Sequence, residues 1–292
     1  MKKAWHIHGA LLFVGLIYGA NYVIAKGVMP NFLTPNAFIM IRASVATLLF
    51  WIFHWFTSKE KVKSKRDYIL FAKCGVFGVM ANQLIFFNGL NLGSPVNASI
   101  IMTMNPIIVL LLSYWWLKEG ITRKKVLGIL VGATGAILLM ARKEISFDNS
   151  SFLGDIFIVL NATFYAIYLI LVRPLMQRYE AITVIKWVFL FGTLMIIPFG
   201  LYPLTETDFS TFTPSVWGAI TYVIIGTTFL AYLLNAMALK FVSSTTVGYY
   251  IYLQPVFATF IAVSLGMEAF HWEKALFALM IFFGVYLVSK KP

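Results

Sequence analysis

The chain has 292 residues, of which 60% are hydrophobic and 12% charged, with a mean hydropathy of +0.84 and a formal net charge of +12. So apolar a composition leaves a soluble 33.0 kDa domain without a polar coat, and it predicts an all-α integral membrane protein. The excess of bases would suit nucleic acid in a soluble chain, but here Lys and Arg lie between hydrophobic runs, where they act as topology signals, so no nucleic-acid partner is expected.

Crossing ~30 Å of hydrocarbon takes roughly 17 to 25 apolar residues at ~1.5 Å each. Ten runs meet this, at 8–28, 36–56, 68–91, 95–117, 124–141, 154–172, 182–201, 215–239, 244–266 and 273–289. The first follows Met1-Lys2-Lys3 like a signal peptide, yet no small-residue cleavage site opens a polar domain and nine runs follow, so it is expected to stay as helix one. It carries Tyr18 and Asn21 at i and i+3, and Gly15 and Gly19 at small-x-x-x-small spacing. The second holds Arg42 about seven residues in, roughly 10 Å below the outer surface. There it could take a substrate carboxylate or phosphate, snorkel outward, or bond helix-end carbonyls. The third contains Asn82 and Gln83, with Lys73 placed to snorkel at its cytoplasmic end and the single cysteine, Cys74, as a small packing residue.

The fourth run carries Asn97, Asn105 and Pro106, and closes at Glu119, which can pair with Lys118 or Arg123. The fifth has Gly128, Gly132 and Gly135, which permit close helix contact within the chain or between copies, so monomer and homodimer both stay open. After the polar segment from Arg142 to Ser151, the sixth presents Asn161, Tyr165 and Tyr168 at i, i+4 and i+7. The seventh holds Lys186, placed like Lys73 to snorkel near a cytoplasmic end, and the eighth Tyr232 and Asn235. The ninth offers Tyr249, Tyr252 and Gln254, then Pro255, and ends near Glu268. Pro106 and Pro255 each lack an N–H and crowd the carbonyl four residues back, so kinks are expected at Met102 and Ile251.

The second half repeats the first at an offset of 149 residues: Leu90 and Leu239, Ser94 and Ser243, Pro106 and Pro255, Glu119 and Glu268, Gly135 and Gly284. Each copy holds five runs, and an odd number makes the second enter the membrane the other way up. The expected architecture is therefore ten transmembrane helices as two inverted five-helix repeats, at 1–142 and 153–292, joined by a linker at 143–152. With both termini cytoplasmic, sixteen Lys and Arg fall on the inner side and four on the outer, as the positive-inside rule asks of a cell-membrane protein. In such folds the substrate site tends to lie near the midplane between the repeats.

Taken together, the Leu-Asn-Leu-Gly-Ser-Pro-Val-Asn-Ala-Ser stretch at 90–99, Asn105-Pro106, Lys118-Glu119-Gly120, their second copies around Gln254-Pro255 and Gly266-Met267-Glu268, and Tyr18-Gly19-Ala20-Asn21 resemble the drug/metabolite transporter superfamily in its EamA-type branch. The resemblance spans nearly the whole chain. It implies export or uptake of small metabolites, frequently amino acids, through a cavity formed mainly by helices 1, 3, 4, 6, 8 and 9.

Polar side chains inside spans are costly unless a cavity solvates them or neighbouring helices bond them. Tyr18, Asn21, Asn82, Gln83, Asn97, Asn161, Tyr165, Tyr168, Tyr232, Asn235, Tyr249, Tyr252 and Gln254 are accordingly the candidate lining, with Arg42 as a candidate anion contact. In the 149-residue register Gln83 falls on Tyr232, Asn97 on Thr246 and Asn105 on Gln254. No Asp or Glu falls at a helix midpoint, which predicts facilitated diffusion or exchange rather than coupling through a buried acid. No nucleophile with a base stands out, and His6-x-His8 and His271-x-Glu273 are interfacial and too sparse for a metal, so neither enzyme chemistry nor a cofactor is expected. The expected solute is an amino acid or related metabolite moving outward by alternating access. An organic anion, a nucleotide sugar or a lipid-linked carrier stands as the alternative.

Overall fold

The computed structural model describes residues 2–93, 98, 101–140, 149–264 and 272–289, and among them no strand occurs. The helices are α1 (Lys2–Val28), α2 (Pro35–Thr57), α3 (Lys65–Leu92), α4 (Asn105–Leu117), α5 (Arg123–Met140), α6 (Asn149–Arg178), α7 (Ala181–Thr205) and α8 (Pro214–Ala238). After these, α9 is an α-helical Ser244–Tyr249, a 3-10 turn at Tyr250–Tyr252 and an α-helical Leu253–Ser264, and α10 is Trp272–Ser289. Local chemistry sets the starts. Thr34 caps α2 by accepting from the Ala37 N–H at 3.3 Å, Thr213 caps α8 by accepting from Val216 at 3.4 Å, and each is followed by a proline whose missing N–H costs nothing there.

Six helices, α1, α2, α3, α6, α7 and α8, contain segments long and apolar enough to cross a bilayer. Large apolar side chains such as Trp55, Phe56, Trp115 and Phe260 face outward, which is the surface a lipid environment requires.

The expected fourth span is not one helix. A turn at Thr103 and Met104 interrupts it, and Pro106 sits in the first turn of the new segment α4 rather than inside a continuous one. In α9 the 3-10 turn likewise precedes Pro255. Both irregularities fall where the proline removes a backbone donor, as expected at Met102 and Ile251. Two further ones carried no proline signal: π-helical stretches at Val76–Met80 in α3 and at Tyr222–Leu230 in α8, which overlap in the 149-residue register.

The most extensive packing is α5 on α10, α2 on α7 and α3 on α6, followed by α3 on α7 and α1 on α8. Glycines set the first of these. Gly128, Gly132 and Gly284 let the α5 and α10 backbones meet, and a Cβ on Gly128 would stand 2.8 Å from the Gly284 carbonyl oxygen. Tyr249 fills the remaining gap, its hydroxyl donating to the Gly128 carbonyl. The helix 5 glycines thus serve packing inside the chain.

Charged groups at the helix ends differ from expectation in their partners. Glu119 pairs with Arg173 of α6 and Lys125 of α5, and accepts from Thr245 of α9 at 3.3 Å, instead of bonding Lys118 or Arg123. Lys118 has a left-handed backbone (φ 56°) that ends α4 and turns the chain there. Lys186 does not snorkel: only 6% exposed, it lies 3.1 Å from both ring nitrogens of His54 and above the Trp51 ring at 4.6 Å, because α2 covers that face of α7. His54, in the last turn of α2, is buried against α7. Cys74 is buried and Lys73 exposed. Glu268, His271 and most of the 143–152 linker lie outside the described residues.

Candidate functional site

Among the polar residues of the spans, those on α1, α2, α3, α6, α8 and α9 converge on one cavity, with about 780 Å³ of empty space counting its open mouth. Tyr18, Asn21 and Tyr22 come from α1, Arg42 from α2, Asn82, Gln83, Phe86 and Phe87 from α3, Asn161 and Tyr165 from α6, Tyr232 and Asn235 from α8, and Tyr250 and Gln254 from α9. Met102, Leu11, Val14, Val247 and Ile251 supply apolar wall.

The polar groups are held in pairs that tie helices of the two halves together. Asn82 and Asn161 bond reciprocally, each side-chain amide donating to the other's backbone carbonyl, at 3.4 and 2.8 Å. Gln83 donates to the Tyr232 hydroxyl at 3.4 Å, and that hydroxyl donates to the Gly78 carbonyl at 2.9 Å, inside the π stretch of α3. Tyr22 donates to Gln254 Oε1 at 3.1 Å, and Asn105, beside the cavity, donates to the Ala162 carbonyl at 2.8 Å. Two lining atoms, Asn21 Oδ1 and Gln83 Oε1, are buried and accept no hydrogen bond from the described residues.

Arg42 is the cation of this wall. It is 4% exposed, its Nε and Nη2 donate to Thr228 Oγ1 at 3.1 and 2.9 Å, and its guanidinium lies 4.5 Å from the centre of the Phe87 ring. The π stretch of α8 makes that contact possible, because Thr228 is turned back to donate to the Val223 carbonyl five residues earlier, at 2.9 Å. Arg42 therefore neither snorkels outward nor caps a helix end.

Of the expected lining residues, Tyr18, Asn21, Asn82, Gln83, Asn161, Tyr165, Tyr232, Asn235 and Gln254 border the cavity. Tyr168 stands behind the wall, its ring 6.1 Å from Tyr165 and 6.5 Å from Tyr232. Tyr249 and Tyr252 face α5 and α10, packed edge to face at 4.7 Å. Tyr250 takes the place expected of them, because it stands four residues before Gln254 and shares its face. Asn97 lies outside the described residues. Phe87, Thr228 and Tyr250 were not expected; an apolar ring, a threonine and one tyrosine among several carry no signal without the helix phase.

Two segments of the chain, residues 7–141 and 152–290, each match the EamA-like transporter family. The chain is 26% identical over 267 residues to the uncharacterized transporter YyaM of Bacillus subtilis, covering 90% of this chain and 87% of that protein. An uncharacterized transporter of Archaeoglobus fulgidus is 25% identical over 287 residues, with 97% of each chain covered. A solved crystal structure superposes with a TM-score of 0.76 over 96% of this chain and 95% of its own at 17% identity, which establishes the likeness of fold. Matched in both halves, the chain belongs to the EamA-like transporter family of the drug/metabolite transporter superfamily and is a multi-pass membrane transporter.

Proposed function

We propose that the protein carries small metabolites, amino acids or their relatives foremost, out across the cell membrane by alternating access. On this reading ten helices cross the bilayer as two inverted repeats, 1–142 and 153–292 about a linker at 143–152, with both termini in the cytoplasm. The observation that carries it is the meeting of Gln83 and Tyr232 at the cavity wall, since these are equivalent positions 149 residues apart. Two equivalent residues can touch only close to the axis that relates the repeats, so the cavity lies where an inverted-repeat carrier keeps its substrate.

The helix packing supports the same symmetry. Exchanging each helix with its counterpart five places along leaves α5 on α10 and α2 on α7 unchanged, and turns α3 on α6 into α8 on α1, which also pack. The cavity wall combines tyrosines and amides with a guanidinium and, among the described residues, has no carboxylate or imidazole. Such a wall suits a solute with an apolar body and a few polar groups.

The test is thermal stabilisation of the purified protein by a panel of amino acids, nucleosides, polyamines and sugars, followed by flux of each hit in proteoliposomes. A ligand at 100 times its dissociation constant adds ~2.7 kcal/mol, well within the reach of a melting curve. Flux of a stabilising solute, abolished by Asn21→Ala or Tyr165→Ala with insertion intact, is the expected result. A stabilising solute that never crosses the liposome membrane would overturn the carrier reading. An organic anion is the second reading, favoured by Arg42, and the same panel extended to phosphorylated compounds distinguishes it.

A further inference from the structure

Resting on the carrier reading, the geometry points to Arg42 as the subsite that selects the solute: we propose that it binds a carboxylate, while Asn21 and Gln83 accept hydrogen bonds from an N–H or O–H elsewhere on the same molecule. The guanidinium has five N–H donors, and the described residues take two of them, both on the single Thr228 hydroxyl. Thr228 is neutral and so leaves the charge uncompensated. Among the described residues no aspartate or glutamate lines the cavity, and the nearest π-face, Phe87, fixes the plane of the guanidinium without neutralising it. A cation this buried and this poorly paired costs stability, and the cost is offset when a ligand brings the missing anion as a planar, fork-matching group.

The two orphan acceptors complete the description. Asn21 is 6% exposed and Gln83 2%; both residues border the cavity, and the side-chain oxygen of each is buried and accepts nothing from the described residues. An acceptor in that state asks for a donor on the solute. A carboxylate at Arg42, a donor toward Asn21 and Gln83, and an apolar body against Phe86 and Leu11 together specify an amphoteric carboxylic acid. The same wall disfavours polyamines and other pure cations, which would face Arg42 with like charge.

Matched probes make this testable: amino acids with small, branched and aromatic side chains, each beside its amide and its decarboxylated amine. Unfolding is read through Cys74, the single cysteine and a buried one, with a thiol-reactive dye, and transport through proteoliposome efflux. At least one acid is expected to stabilise the wild type while its amide and amine do not, a preference of about 10- to 100-fold in affinity. Arg42→Gln should abolish that preference while its empty form melts at or above the wild-type temperature, because an unpaired buried charge has been removed. Thr228→Val, which removes the hydroxyl that takes two of the guanidinium donors, should leave the acid bound at least as tightly and the amide unchanged.

The proposal is overturned if no acid stabilises, if amide and acid stabilise equally, or if empty Arg42→Gln melts well below wild type, which would make Arg42 a structural cation. Acid-selective stabilisation without efflux would instead remove the carrier reading and leave this subsite standing. Equal efflux of acid, amide and amine would do the reverse.

Discussion

Adding one methyl group at the α5–α10 crossing separates two contributions to that interface. A Cβ on Gly132 would overlap the Tyr249 hydroxyl and stand 2.8 Å from Tyr249 Cζ and 2.9 Å from Tyr252 Cδ2, all atoms of side chains that can turn. A Cβ on Gly284 would overlap the same hydroxyl but also stand 2.6 Å from the Gly128 carbonyl oxygen and 3.1 Å from the Gly132 nitrogen, which move only if the helices part. Overpacking costs ~1–3 kcal/mol, and the better helix propensity of alanine returns up to ~1 kcal/mol. Gly284→Ala should therefore lose about 2 kcal/mol and Gly132→Ala about 1 kcal/mol, with Tm falling ~2 °C or more for each kcal/mol. Tyr249→Phe removes the hydroxyl and its bond to Gly128, worth ~0.6 kcal/mol on average in membranes. In that background Gly132→Ala should cost little, whereas Gly284→Ala should keep most of its penalty. The readout is the temperature at which Cys74 becomes accessible to a thiol-reactive dye. Full recovery of Gly284→Ala by Tyr249→Phe would refute the claim that backbone contact sets the spacing.

Three further outcomes follow from the same coordinates. Asn161→Leu breaks the reciprocal pair with Asn82 and leaves the Asn82 carbonyl without its side-chain donor, at a cost of ~1–2 kcal/mol that a fall in Tm of several degrees would register. Lys186→Met replaces a buried ammonium with an apolar side chain of similar length against Trp51, so stability should be unchanged or rise by ~1 kcal/mol; a large fall in Tm would show that the His54 contact is needed. In a Cys74→Ser background, Ser210→Cys should react with an impermeant maleimide from outside intact cells and Gly120→Cys should not; the opposite pattern would invert the proposed topology.

How far the sequence could be read depended on whether a residue's position is set by composition or by helix phase. Asn21, Gln83, Asn161 and Gln254 stood out because an amide inside an apolar run is rare and costly, and all four border the cavity. The repeat register paired Gln83 with Tyr232 before any contact was known, and the two are hydrogen-bonded. Thr228 and Tyr250 could not be found in the same way. A π turn adds a residue and a 3-10 turn tightens the coil, so each rotates every later side chain relative to an ideal helix. Tyr249 and Tyr252 were misplaced beside Gln254 because they stand five and two residues before it, off its face, whereas Tyr250 stands one helical turn before it. The burial of Lys186 follows from α2 lying over α7, a contact between elements distant in sequence that periodicity does not encode.

The irregular segments bear on how such a carrier would move. They come in register pairs, the π stretches of α3 and α8 and the breaks before Pro106 and Pro255, yet the members of each pair differ: five residues of π helix against nine, and a plain turn against a 3-10 turn. If two inverted repeats share one architecture, an exactly symmetric arrangement would open the cavity equally to both sides, so a carrier captured in one state must be asymmetric somewhere. These segments are the economical place for it, because shifting a π turn along a helix rephases side chains without unfolding the helix. On the alternating-access reading, the opposite state should carry the longer π stretch in α3. Amide hydrogen exchange in Val76–Met80 and Tyr222–Leu230 should then change in opposite directions when a transported solute is supplied on one side of the membrane and then the other. Unchanged exchange in both stretches would mean that they are static supports for Arg42 and Tyr232, and would move the conformational switch to another part of the fold.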